Sequence, residues 1–160
     1  MEILFALLVN TVIFFVAVLG CLTVGALMLN NLPLGDPPGF LRRLWTYFTT
    51  NMAETRRDHR FPELELPCVA LSPGVLFTRI EHTLEVLNWQ IIESDHREYY
   101  IHAVVETMLL RFKDDIMIKL EPGRYGTEIH IRSRSRVGRG DLGTNTRHIL
   151  NLLEMLARQV

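Results

Sequence analysis

From Ile3 to Leu29 the chain runs without a single Asp, Glu, Lys or Arg. No such charge occurs anywhere between Glu2 and Asp36. As a helix rising about 1.5 Å per residue, the run would be about 40 Å long. A hydrocarbon core of about 30 Å needs less, and tilt or interfacial ends take up the rest. Residues 1–31 therefore read as an uncleaved single-pass membrane anchor. A signal peptide would want a basic start, an apolar stretch of about 7–15 residues and a small-residue cleavage site. Here Met1-Glu2 carries no base, and the long run ends in Met28-Leu29-Asn30-Asn31. Val18-Leu19-Gly20-Cys21 loosely resembles a lipoprotein box, but Leu19 is awkward there and apolar or small residues continue past Cys21.

Along this helix Ala17, Cys21 and Gly25 recur every four residues, and Asn10 lies seven before Ala17, so all four share one side. Small residues let helix backbones approach closely, and an Asn in lipid seeks a hydrogen-bond partner. The face predicts packing against another transmembrane helix. The plainer alternative is an ordinary span with a shallow Asn10.

After the anchor about 130 residues remain, enough for one small domain. The net charge of −1 gives no electrostatic reason to expect nucleic acid as a partner. Cys21 within the span and Cys68 far beyond it speak against an internal disulfide and leave the redox compartment open. Arginine outnumbers lysine 15 to 2. That ratio suits bidentate anion chemistry but equally reflects codon bias.

Residues 30–39 are rich in Asn, Pro and Gly and form a breaker-laden exit from the span. Phe40, Leu41, Leu44, Trp45 and Phe48 then follow helical spacing, with Arg42, Arg43 and Thr46 on the other side. Aromatics and arginines just outside a span predict a short helix in the headgroup layer, anchored by Phe40, Arg42, Arg43, Trp45 and Phe48. The alternative is that the stripe packs on the following domain. Thr49 to Pro67 is polar and irregular and reads as a linker, so residues 32–66 form a juxtamembrane segment and 67–160 the domain.

In the domain, Ser72-Pro73 caps a helix whose inner stripe is Leu76, Ile80, Leu84 and Leu87 and which ends near Asn88. Strands are predicted from Trp89 to Ser94, Tyr99 to about Arg111, Asp114 to Leu120 and Thr127 to Val137. In the last, Ile129 and Ile131 face inward while His130, Arg132, Arg134 and Arg136 face outward. Thr144 or Asn145 is expected to cap a final helix with Ile149, Leu152, Leu153 and Leu156 inside. The order α-β-β-β-β-α predicts an α+β fold: a four-stranded antiparallel sheet with two helices on one face.

The most distinctive stretch is Arg132-Ser133-Arg134-Ser135-Arg136-Val137-Gly138-Arg139-Gly140-Asp141-Leu142-Gly143-Thr144-Asn145. Together with Phe112 and the Asp114-Asp115 pair it resembles the bacterial domain-of-unknown-function family 1499, whose signature is Arg-Ser-x-Ser-Arg-x-Gly-x-x-Asp-x-Gly-x-Asn. Glu54-Thr55, Leu87-Asn88-Trp89, His102-Ala103-Val104 and Thr107 resemble it as well. The resemblance covers roughly residues 51–157. It implies a family and no chemistry.

Gly138-x-Gly140-x-x-Gly143 formally matches a dinucleotide loop, but no parallel strand follows and no acidic residue lies about 20 positions on. A general anion or partner site is the better functional reading, built from Arg132, Arg134, Arg136, Arg139, Asp141 and Asn145 at a helix N-terminus. The fold-building alternative outweighs it. The three strand arginines can ladder with charges on the neighbouring strand such as Asp115, Asp141 can hold the turn, and Asn145 can cap the helix. Adjacent strand residues point to opposite faces, so Asp114 and Asp115 do not chelate together. The six histidines lack metal-ligand spacing, Cys68 has no nearby His, and Ser133 and Ser135 point with the core-side isoleucines. No metal or cofactor is expected.

Arg42 and Arg43 lie on the C-terminal side of the span, and by the positive-inside rule they place the domain in the cytoplasm of a bacterial inner-membrane protein. Many members of the resembling family look exported, which favours the periplasm. The leading functional expectation is a non-enzymatic accessory subunit of a larger membrane complex, respiratory or photosynthetic, with lipids and other transmembrane subunits as partners. A membrane-tethered module for an anionic ligand or lipid headgroup is second, and an unrecognised envelope enzyme third.

Overall fold

A computed structural model describes residues 2–107 and 111–158. It divides into two units, Met1–Leu32 and Pro33–Val160. The first is the helix α1, Glu2–Leu29, long and apolar enough to cross a membrane. Thr11 and Thr23 satisfy their hydroxyls on the carbonyls of Leu7 and Leu19 one turn back.

The second unit opens with α2 (Phe40–Thr49), followed by β1 (Met52–Glu54), a 3-10 turn (Pro62–Leu64) and β2 (Cys68–Val69). Then come α3 (Pro73–Val86), β3 (Gln90–Asp95), β4 (Tyr100–Glu106), β5 (Lys113–Gly123), β6 (Gly126–Ser135) and α4 (Thr144–Ala157). The fold is α+β, as the periodicity predicts, but the sheet is larger than four strands. Its order is β1-β6-β5-β4-β3, with β2 also pairing β6, and every pairing is antiparallel. The segment expected to be a linker thus supplies β1, and just past its end at Pro67 comes β2. Each is too short to show a period of two, and β6 defines them by offering its free edge to Met52–Glu54 and Cys68–Val69. The strand expected from Tyr99 to about Arg111 is regular over Tyr100–Glu106, and its continuation through 108–110 lies outside the described residues.

Alternation sorts the sheet into two faces. Ile101, Ala103, Ile116, Ile118, Leu120, Ile129 and Ile131 are buried on one, beneath α3 and α4, which contribute Leu76, Phe77, Ile80, Leu84, Ile149, Leu152 and Leu156. Tyr100, His102, Asp115, Met117, Lys119, His130, Arg132, Arg134 and Arg136 occupy the other. The helix α3 ends as the Leu87-Asn88-Trp89 motif suggests. Asn88 takes a left-handed backbone conformation, with φ positive at 56 degrees. The Trp89 amide returns to the Leu84 carbonyl, closing the helix and turning Trp89 into the core. At the other end of the sheet α4 is entered differently from the expectation. Neither Thr144 nor Asn145 is the N-cap. That position is Gly143, in the left-handed region, and α4 begins one residue later.

Candidate functional site

The signature closes around the C-terminal end of α2. The Asp141 amide lies 3.1 and 3.2 Å from the carbonyls of Tyr47 and Thr50, and the Leu142 amide donates to Tyr47 at 3.0 Å. These carbonyls belong to the close of α2, where no intrahelical donor remains. Gly140 permits the approach. A Cβ there would collide with the carbonyls of Phe48 and Tyr47, so the residue is required for space. Asn51 continues the seam: its side chain donates to the Gly138 carbonyl at 2.8 Å, and its own carbonyl accepts from the Ser135 amide at 3.0 Å.

Asp141 organises the entry to α4. Its carboxylate accepts from the amides of Gly143 (2.8 Å) and Asn145 (3.1 Å) and from the Asn145 side chain (2.6 Å). Burial pushes its pKa up, and these donors partly offset the push. The Thr144 amide is taken by the Asp141 carbonyl. Every amide from Asp141 to Asn145 therefore finds an acceptor inside the chain. The anion expected at this helix N-terminus is already present as Asp141.

Asn145, fully buried, points into the sheet. It accepts from the Ser133 hydroxyl at 2.5 Å and donates to the Asn51 carbonyl and the Ser135 hydroxyl, each at 2.9 Å. The two serines of Arg-Ser-x-Ser-Arg sit on the core side because their arginines sit on the other, and Asn145 matches that spacing.

The arginines do not converge. Arg136 makes a two-pronged ion pair with Asp115 at 2.7 and 2.8 Å, and His102 meets the same carboxylate at 2.9 Å. Hydrogen bonding from Arg136 holds Asp115 down to about 2, against a smaller opposing effect of burial. Arg132 reaches Met52 Sδ at 3.0 Å; Arg134 and Arg139 are exposed. The aspartate pair splits as alternation requires. Asp114 turns inward and meets His148 of α4 at 3.0 Å, and its other oxygen, Oδ1, is buried without a hydrogen-bond partner among the described residues.

The face of α2 toward the domain is set by Arg43, which corrects its reading as an interfacial anchor. Its side chain is 0% exposed. The guanidinium pairs with both oxygens of Glu63 (2.5 and 2.9 Å) and donates to the carbonyls of Pro37 (2.6 Å) and Asp36 (3.1 Å). It also lies 4.4 Å over the Phe61 ring. Burial works against its charge, but Glu63 and Tyr47 more than compensate, so it stays charged. Tyr47, beside it, is buried edge-on to Phe61, and burial raises its hydroxyl pKa. Sequence spacing missed this because Glu63 sits 20 residues away in a segment without periodicity. On the other side Phe40, Leu41, Trp45 and Phe48 are 49 to 79% exposed, and Arg42 is exposed with them. The apolar stripe therefore does not pack on the domain.

A cleft of about 240 Å³ beside α2 is lined by Tyr47, Glu54, His59, Phe61 and Asp141 among others. His59 is engaged with the backbone of Phe61, and Asp141 with the α4 entry. Among the described residues no three His, Cys, Asp or Glu side chains gather as a metal site would require.

The family model for a protein of unknown function, DUF1499, matches residues 36–156. The chain belongs to the DUF1499 family. The match begins just before α2, so the helix held by the signature lies within the DUF1499 domain. No curated protein matches the chain.

Proposed function

We propose that this DUF1499 protein is a non-enzymatic, single-pass accessory subunit that packs its anchor into a larger integral-membrane assembly of the respiratory or photosynthetic kind. The observation carrying the reading is Asn10. Among the described residues its carboxamide has no hydrogen-bond partner, whereas the neighbouring Thr11 satisfies itself on its own helix. The helix has 28 residues. Centring it in a hydrocarbon core of about 30 Å puts Asn10 about 7 Å below the edge. An amide at that depth wants a partner from another helix. Ala17, Cys21 and Gly25 continue the same face, and a Cβ built at Gly25 meets nothing within 4 Å, so a second helix has room to approach.

The test is extraction in mild detergent followed by size analysis and mass spectrometry of whatever co-purifies. Stable membrane partners are expected with the native chain, and they should be lost from Asn10→Leu and from Ala17→Leu/Gly25→Leu. A lone monomer indifferent to these changes would refute the proposal.

A further inference from the structure

The signature loop fixes α2 in one orientation, and that orientation leaves its apolar face outside the domain. We infer that this face is a docking surface for the anionic surface of the bilayer, with Phe40, Leu41, Trp45 and Phe48 seated at the headgroup level and Arg42 and Arg139 at the phosphates.

Four observations carry this. First, the stripe is exposed although the opposite side of the same helix is fully packed at Arg43 and Tyr47, so the domain has used one face and left the other. Second, the exposed residues include Trp45 and Phe48 beside Arg42, the composition of an in-plane interfacial helix. Third, Gly140 abuts the backbone of Phe48, which brings its neighbour Arg139, an exposed cation, to the end of the stripe. Fourth, only residues 30–39 separate the end of α1 from the start of α2. Fully extended they would span about 35 Å. Reverse turns at Asp36 and Gly39 shorten them. A membrane that holds α1 thus lies within reach of α2.

This docking rests on α1 spanning a bilayer and gives the signature a consequence: by gripping α2 it ties the domain to the membrane surface at a fixed attitude. The lipid-facing groups are ones the fold does not need, while α2 is held by the Arg43–Glu63 pair and by the amides of Asp141 and Leu142.

The chain has two tryptophans, Trp45 on the stripe and Trp89 in the domain core. The purified full chain is reconstituted into nanodiscs of phosphatidylglycerol with brominated acyl chains, which quench indole within the bilayer. The expected result is loss of the Trp45 component of the emission. The Trp45→Phe variant should show no quenching, because Trp89 stays in the domain. Replacing the lipid by brominated phosphatidylcholine, or introducing Arg42→Glu with Arg139→Glu, should reduce the loss. Full incorporation with Trp45 unquenched and open to aqueous iodide would overturn the docking while leaving the anchor intact. Equal quenching in both lipids would overturn the role of the two arginines. Failure of the chain to enter nanodiscs would overturn the anchor and the docking together.

Discussion

Glu63→Gln isolates the contact that orients α2. In the native protein Glu63 supplies both oxygens to a guanidinium that water does not reach. Gln keeps one acceptor but turns an NH2 toward the Arg43 donors. Removing one partner of a buried ion pair costs about 3–5 kcal/mol, because the other charge is left uncompensated. Two features place this case at the lower end: the Glu63 side chain is 14% exposed, and the Pro37 and Asp36 carbonyls still receive the guanidinium. The expected loss is about 3 kcal/mol. Pairing the change with Arg43→Met removes the orphaned charge. Apolar replacement of a buried pair is often close to neutral, so the double variant should cost less than Glu63→Gln alone. The freed Asp36 and Pro37 carbonyls sit in a turn at the surface, where water can take over from the guanidinium. Urea unfolding of the full chain in detergent, followed by near-ultraviolet circular dichroism, measures all three. Single and double variants that lose stability additively would refute the reasoning, because they would mean that Arg43 and Glu63 act separately.

Three further outcomes follow from the same geometry. Asn145→Ala takes the partner from the Ser133 and Ser135 hydroxyls and one of two donors from the Asn51 carbonyl. Its cost should be about 2–4 kcal/mol. Asn145→Asp sets a second carboxylate against Asp141 and should destabilise more. Like charges raise carboxylate pKa values, so Asn145→Asp should regain more stability than the native chain as the pH of the unfolding titration is lowered. Asp115 is depressed from its ordinary 3.8 to about 2, so its contribution is complete above about pH 4 and lost as pH falls towards 2. With Arg136 half-exposed that loss is screened and small, and it should shrink further in Arg136→Gln, where His102 still meets the carboxylate. Trp45→Ser and Phe48→Ser change side chains that the fold leaves in the open. Each should alter the unfolding free energy by no more than about 0.5 kcal/mol in the same urea titration.

The strongly periodic parts of this chain were legible before the structure. The apolar run of α1, the stripes of α3 and α4, and the alternation of β5 and β6 each carry their own partner-facing pattern. The split of Asp114 from Asp115 and the inward turn of Ser133 and Ser135 follow from the same alternation. What periodicity could not reach is contact between elements. β1 and β2 exist because the edge of β6 recruits them. Arg43 looks like a surface cation until Glu63 arrives from a loop, and that burial also halves the pair on which the positive-inside argument rested. The glycine spacing invites a ligand reading, since only the fold shows that α2 carbonyls occupy the loop amides and that Asp141 already sits at the α4 terminus. Asn145, expected to cap α4, is drawn instead to two serines spaced to receive it.

The central claim is that the signature loop grips α2, and hydrogen exchange on Gly140→Ala tests it most directly. The added methyl meets the Phe48 and Tyr47 carbonyls. Overpacking of about 1–3 kcal/mol is then joined by weakening of the hydrogen bonds that the loop amides make. Gly74→Ala, in the first turn of α3 with only the Tyr99 hydroxyl at 3.8 Å, is the control. The α2 amides of Gly140→Ala should exchange at least about 30-fold faster than those of the native protein and of the control, while β4 and β5 keep their protection. Equal protection of α2 in all three proteins would contradict the claim.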